Sequence, residues 1–494
     1  MSNFKIGWAE ESIVPDKKVN LQGQLYERIS EYVETEITAT AMAVESGNEQ
    51  AIFVSCDLAS TSNVLVGLVR EKFAGMCDEI APEKLVIGAI HTHTSMAYGV
   101  ARMKREEVLN EFLPENKKYK SIVKETPDVL TKADALDFLV DKIAQVAKKA
   151  WENRAEAKYA NAFGRAVVGH CRRVCYTDGS AKMWGDSNHA NFTELEGGND
   201  SGIEIIYFFD KDTKLTGILA NIACPAQVLE HHSFISADYW GYVKENLREK
   251  FGENIFLLPF ISAAGDQCPR DLIRWVDPEQ PVKDPHITRE NTVLRKADPS
   301  MFDIKGCKKV AKRVSNEIID VFEALEKEEI NDNPIFIHKT LTIDLPLRKA
   351  TTADYEKAVR EINYYVDKNR DKENFNFEDK AAMLVYIGTV IRYREQEKKE
   401  TFPIESHIIR LGDVAIATNP FELFLDYGNR MKARSKAQQT FVFQLTGGAG
   451  GYLPTEKAEK GSHYSAYISS GNVGHEGGDL LVRKTIMEIN DMFE

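Results

Sequence analysis

The sequence has no apolar run near the length of about 18 residues that a membrane-crossing helix needs, so no integral membrane segment is expected. Its first residues, Met1–Glu11, lack the basic start and apolar centre of a secretory signal, and a cytoplasmic location is expected. Cysteine is scarce. The seven present are odd in number and irregularly spaced, which fits a reducing compartment better than a disulfide framework. Basic residues are outnumbered, 63 Lys and Arg against 76 Asp and Glu, for a formal net charge of -13. That deficit argues against nucleic acid or an anionic membrane as the main partner, because both require a basic face. Gly/Ser linkers and composition breaks are also missing, so residues 1–494 are read as one large domain. What remains, 43% hydrophobic and 28% charged, is the make-up of an ordinary globular chain with a large core.

Three segments of the chain share one plan. The first runs from Ala51–Asp57 through a helical stretch at Val64–Phe73 to Leu85–Ile90. The second joins Leu215–Cys224, a helix over Tyr239–Phe251 and Ile255–Ser262. The third joins Val414–Thr418, a helix over Leu423–Arg434 and Thr440–Leu445. Short apolar runs alternating with amphipathic stretches predict βαβ units with buried parallel strands. The expected fold is therefore α/β: a mixed sheet built from several βαβ units, flanked by helices, in a single large domain. Further helices are expected over Leu130–Asn153 and Met301–Lys327, and a charged helical pair over Thr351–Asn369 and Asp379–Glu397. Met103–Asp128 and Asp271–Ser300 read as long irregular segments, either lids or solvated inserts.

In open α/β sheets, functional groups gather beyond the carboxyl ends of the strands. Those ends carry Asp57, His91, His93, Cys224, Asp266, Cys268 and Gly447–Gly451, with Glu422 shortly after the third unit's first strand. His91-Thr92-His93-Thr94 is the sharpest signal. Residues i and i+2 of a strand share a face, so the two imidazoles are expected to point together. They can hold one metal, or divide metal binding and proton transfer, or simply cap a strand. His91, Cys224 and Glu422 supply one zinc-type donor from each unit. The plain alternatives are a buried thiol acting as a small hydrophobe and a carboxylate in a helix's first turn.

The turn Ala263–Asp271 can project Asp266 and Cys268 into a cleft, or can be purely structural. A thiol there becomes a nucleophile only if a metal or cation lowers its pKa. Gly447–Pro454 permits close backbone approach but is no phosphate loop, since no Gly-Lys-Ser/Thr follows. Cys171 and Cys175 are too isolated for a metal site, and His231 and His232 read as surface-loop residues.

Taken in order, these residues resemble the neutral (non-lysosomal) ceramidase family over nearly the whole chain. The resemblance is carried by Ile6–Pro15, His91–Thr94, Arg172-Arg173, Ile235–Asp238, Gly265-Asp266, Pro420–Glu422, Gly451–Thr455 and Gly461–Tyr464. It implies a zinc ion in an α/β amidase domain that hydrolyses the amide of an N-acylated sphingoid base. His91 matches the family's first zinc histidine, Glu422 its carboxylate ligand and Tyr464 its tyrosine ligand. His93 matches the neighbouring active-site histidine, and Arg172 a substrate-contacting arginine. Two positions depart from the pattern: the second zinc histidine falls on Cys224, and the active-site serine on Cys268. A thiolate binds zinc well but lowers its Lewis acidity. The family's secretion signal and C-terminal β-sandwich are not read in this chain, so a small soluble N-acyl substrate is expected as readily as ceramide.

The resulting expectation is a zinc-dependent hydrolase of a carbon–nitrogen amide bond in a small molecule. Zn2+ is held by His91, Cys224, Glu422 and Tyr464, and His93 moves a proton or stabilises the oxyanion. Arg172 contacts substrate, Asp266 orients a ligand, and Cys268 positions substrate or replaces the serine. Two other readings stand beside it: a thiol hydrolase using Cys268 with His93, and a metal-free binding or scaffold protein on the same fold.

Overall fold

A computed structural model describes residues 4–24, 26–99, 104–119, 127–274 and 302–494. All three βαβ units form. Glu49–Cys56 and Leu85–Ala89 pair in parallel across the helix Asn63–Ala74. Leu215–Ile222 and Phe256–Ile261 do the same across Tyr239–Phe251, and Val414–Thr418 and Gln439–Phe443 across Leu425–Arg434. The units are divided between two sheets. The first two lie at opposite edges of an eight-stranded sheet whose middle strands, Gly202–Asp210, Ala155–Arg165, Phe4–Ser12 and Thr38–Ser46, run antiparallel. The third lies in a four-stranded sheet with the long antiparallel strands Phe336–Pro346 and Thr401–Leu411.

The near-continuous apolar strands follow from burial on both faces. In Glu49–Cys56, Ile52, Val54 and Cys56 face one core, while Ala51 and Phe53 face another. The first core takes the helices Asn63–Ala74, Lys132–Glu152, Tyr239–Phe251 and Ile304–Glu323. The second lies between the two sheets, where Phe4, Trp8, Phe53, Phe208 and Phe260 meet Phe336, Phe441 and Phe443. Ala415 and Ala417 face outward from the four-stranded sheet onto Ile489 and Met492 of the helix His475–Met492. Helices, sheet, sheet and helix therefore form four layers, and the strand ends of both sheets meet at one rim. Ala89 N donates to Leu445 O at 3.3 Å, and Gln444 N to Ile261 O at 3.0 Å.

The expected helical pair forms over Thr352–Lys368 and Phe377–Glu395, each started by a capping box, Thr351 with Asp354 and Asn376 with Asp379. One expectation needs correction. Within Met103–Asp128, Lys104–Phe112 is a helix, because Val108 and Leu109 bury against Ile362, Met383 and Ile387 of that pair. Of Asp271–Ser300, all but 271–274 lies outside the described residues. Among the described residues no helix is long and apolar enough to cross a membrane.

Candidate active site

The two histidines converge, but not through strand alternation. The strand ends at Ala89, and His91 takes a left-handed backbone, φ 65°, that turns the chain back on itself. Such a conformation costs on the order of 1–3 kcal/mol in a residue with a Cβ and persists only where its surroundings enforce it. Here the enforcement is visible. Thr92 N donates to Leu58 O, and the Thr92 and Thr94 hydroxyls both donate to Ser236 O, at 2.7 and 2.9 Å. Arg28 Nη2 donates to His93 O at 2.7 Å. Gly23, itself at φ +105°, lies against the His93 ring so closely that a Cβ there would strike it.

Hydrogen-bond partners fix where the protons are. Ala59 O can only accept, so its 2.6 Å contact with His91 Nδ1 places that proton on Nδ1. The lone pair on His91 Nε2 then faces Glu422 Oε2 at 3.4 Å. Arg172 Nη1 donates to Gln227 Oε1 at 3.2 Å, which turns the Gln227 amide nitrogen onto His93 Nε2 at 2.8 Å. His93 Nε2 is thus an acceptor, and its proton lies on Nδ1, 3.3 Å from Glu230 Oε2. The two Nε2 atoms are 3.4 Å apart. Two lone-pair atoms, His91 Nε2 and Glu422 Oε2, therefore face each other, while the one lone pair of His93 Nε2 is taken by the Gln227 amide. That facing pair calls for a proton between the two groups or for a bound cation.

Burial draws His93 down to about 4 against the opposing pull of Glu230, so it is neutral at neutral pH. Burial pushes Glu230 up, but Arg270 Nη2 at 2.6 Å and the neighbouring histidines outweigh it and hold the carboxylate well below its usual range.

The third unit brings the carboxylate. Glu422 stands in the short strand Phe421–Leu423, in register with Tyr452 of Gly451–Leu453. Gly265 allows the close approach: its N donates to Leu423 O at 2.7 Å, and a Cβ would strike the Glu422 carbonyl. Arg172 is buried between the units, with Nη2 donating to Gly265 O at 3.0 Å and Tyr452 OH at 3.3 Å. Burial opposes its charge, yet Tyr452 and Glu422 beside it keep the guanidinium firmly protonated. Tyr452 packs edge-on against Tyr464, ring centroids 5.5 Å apart. Tyr464 itself lies between two left-handed residues, His463 and Ser465, and its carbonyl accepts from Arg173 Nη1.

His91, His93, Glu422, Arg172 and Tyr464 thus share one neighbourhood. The other expected residues are engaged elsewhere. Cys224 is fully buried, its Sγ donating to Val168 O at 3.3 Å, and burial pushes its thiol pKa up. Cys268 Sγ donates to Arg270 O at 3.2 Å; burial, against Arg270 and Arg172, lifts it to about 11. Asp266 Oδ1 accepts from Leu425 N at 2.9 Å and so caps the helix Leu425–Arg434. Among the described residues, no group of three or more His, Cys, Asp or Glu side chains is gathered tightly enough to hold a metal ion.

Gln227, Glu230 and Arg270 carry no motif that marks them in the sequence, although all three lie near strand ends where functional groups collect. His231 and His232 are half-buried rather than free on a surface loop. His231 Nδ1 is hydrogen-bonded to Tyr26 OH at 2.8 Å, and His232 Nε2 donates to Phe302 O at 2.8 Å.

Fold and site together define a two-sheet α/β protein with a buried histidine–carboxylate cluster at the rim. The fold is that of the neutral ceramidases. The crystal structure of neutral ceramidase from Pseudomonas aeruginosa matches with a TM-score of 0.66 at 12% identity, covering 100% of this chain and 75% of that one. A ceramidase complexed with C2 matches with a TM-score of 0.67, also at 12% identity, covering 100% of this chain and 76% of the other. No protein-family model matches the chain, and no curated protein matches it in sequence.

Proposed function

We propose that this chain hydrolyses a carbon–nitrogen amide bond in a small N-acyl compound, with zinc at the His91–Glu422 pair. The observation that carries this is the facing pair of lone-pair atoms, His91 Nε2 and Glu422 Oε2, 3.4 Å apart, an arrangement that suits a cation. The ceramidase-like fold supports amide chemistry there, as analogy. The His91 environment fits a metal: Nδ1 held by a backbone carbonyl leaves Nε2 free as a ligand, the usual outer-shell support of a metal histidine. His91 and Glu422 would hold the ion, with Tyr464 and Cys224 as the further donors; Cys224 joins only by giving up its proton and its bond to Val168 O. A zinc ion there would polarise the carbonyl and lower the pKa of bound water to about 7.

The remaining roles belong to the chain. His93, neutral and with its lone pair on Nε2, exchanges its Gln227 bond for the attacking water, takes that water's proton and returns it to the departing amine nitrogen. Arg172 and Tyr452 offer donors to the carbonyl oxygen as it becomes negative. Arg172 suits this role because its burial keeps water from screening it.

The test is release of free amine from a panel of N-acyl amides, including N-acetyl amino acids and a short-chain ceramide, with zinc supplied. Turnover that falls by at least about 10³-fold in His91→Ala supports the reading, by the scale of metal-centre catalysis. No turnover of any member contradicts it. A binding protein is the second reading, favoured by the engaged thiol at Cys224, and it predicts saturable binding from the same panel without amine release. The thiol-hydrolase reading lacks an activated nucleophile, since no hydrogen bond joins Cys268 to His93 and burial holds the thiol protonated.

A further inference from the structure

We infer that Glu230 and Gln227 are positioning residues that set the proton of His93 on Nδ1, each oriented by its own buried arginine. The inference rests on the amide-hydrolase reading only for what the imidazole then does.

Two relays meet on the ring. On one side Arg172 fixes the amide oxygen of Gln227, so the Gln227 nitrogen must face His93 Nε2. On the other, Arg270 Nη2 pairs with Glu230 Oε1 at 2.6 Å, leaving Oε2 as the negative charge nearest His93 Nδ1, at 3.3 Å. The donors are all of one sense, so neither relay can be reversed without placing two N–H groups or two lone pairs face to face. Arg270 is itself enclosed. It is fully buried, 3.3 Å above the Phe302 ring centroid and 4.6 Å from that of Trp184, and it donates to Gln227 O at 2.9 Å. That last bond joins the two relays, because one arginine holds both the carboxylate on Nδ1 and the backbone of the amide on Nε2. His231 Nε2, 3.6 Å from Glu230 Oε1, and Arg28, bonded to His93 O, complete the polar surroundings.

The chemical consequence is specific. Only the Nδ1–H tautomer has a lone pair on Nε2, held by Gln227 beside His91 until water takes the amide's place. Replacing Glu230 by Gln keeps the shape but gives one oxygen and one NH2. Arg270 claims the oxygen, so the NH2 faces His93 Nδ1 and drives the ring proton to Nε2. The base is then in the wrong tautomer, and its new N–H opposes the Gln227 amide.

The experiment is 15N NMR of histidine-labelled full-length protein, with the His93 signals assigned by their loss in His93→Asn, alongside kinetics of Glu230→Gln and Glu230→Asp. The expected result is Nδ1–H in the wild type and Nε2–H in Glu230→Gln. A wrong-tautomer imidazole lowers kcat by about 10²–10⁴-fold, with little change in KM. Glu230→Asp, which keeps the charge, restores the Nδ1 proton and most of kcat. An Nε2–H wild type, an unchanged tautomer in Glu230→Gln, or a flipped tautomer with unchanged kcat each overturns the inference. If no amide is turned over at all, the functional reading falls, while the tautomer measurement still decides whether Glu230 and Gln227 set the proton.

Discussion

Single residues at the rim work through backbone conformations and proton positions as much as through reactive groups. Gly23 shows this most simply, since it contributes no side chain yet sets how close the chain comes to His93. Gly23→Ala should push the ring from its relays, because the added Cβ meets the imidazole and φ +105° is unfavourable for any residue with a Cβ. Activity is predicted to fall by about 10²-fold, the scale set by lost general-base positioning. A steady-state assay with a melting curve checks this; full activity in a folded variant would show that the ring has room to spare. His91, His93 and Glu422 were legible in the sequence because their chemistry stands at or just beyond strand ends, and Arg172 only through the family resemblance. Gln227, Glu230 and Arg270 were not, because each acts through a partner distant in sequence. Nothing in Cys224–Asp238 alone says that Arg172 and Arg270 will arrive on either side of it.

Among the elements, the helix Asn63–Ala74 is fastened to the four-stranded sheet by a buried polar chain. Arg70 pairs with both oxygens of Glu405, at 2.7 and 2.8 Å, and Glu405 Oε1 lies 3.0 Å from His407 Nε2. His407 Nδ1 in turn lies 2.9 Å from His338 Nε2 and 3.3 Å from Thr340 Oγ1. Gln50 O and Lys84, which donates to His338 O, close the surroundings. Burial, with His407 adding to it, lowers His338 from 6.5 to about 3. Burial raises Glu405, but His407 and Arg70 outweigh it and bring the carboxyl from 4.5 to about 2.

Both folded values lie below the unfolded ones, so each group's contribution is complete above its unfolded value and is lost as pH falls toward its folded value. Melting temperature is therefore predicted to decline from pH 6.5 downward, first through His338 and then, below 4.5, through Glu405. His338→Phe should lessen the upper part of that decline, the rest belonging to His93, His231 and His407, which burial also lowers. Arg70→Met should cost about 2–3 kcal/mol at neutral pH by stripping Glu405 of its partner. Melts across the range check both; a flat profile in the wild type would contradict the assignment. The three βαβ units were readable because their strands are nearly continuous apolar runs. Phe336–Pro346 and Thr401–Leu411 were not, since buried and exposed positions mix along them and the helical pair separates them in sequence. The helix Lys104–Phe112 was hidden for a similar reason: two buried residues among polar ones form no stripe.

At the scale of the molecule, the site exists because two sheets meet. The eight-stranded sheet brings His91 and the Gln227–Glu230 loop, and the third unit brings Glu422 and Tyr452. Phe260 stacks on Phe443 across the junction, centroids 4.0 Å apart and rings within 2° of parallel. Phe443→Ala should cost about 3–5 kcal/mol, as for a large aromatic removed from a close-packed core. It should also loosen the carboxylate half of the cluster from the histidine half, so denaturant unfolding and zinc affinity should weaken together. The composition and strand pattern pointed to an α/β chain, but not to two packed sheets, because pairing partners are decided by contacts between strands hundreds of residues apart.

The central claim is that the His91–Glu422 pair is a metal centre. Its most direct test is elemental analysis of protein dialysed against zinc and then against metal-free buffer, in wild type, His91→Ala and Glu422→Ala. The account predicts about one zinc per chain in the wild type and its loss in both variants, as a single catalytic site requires. A wild type without zinc, or variants that keep it, would contradict the claim and leave the His91–Glu422 contact to a shared proton.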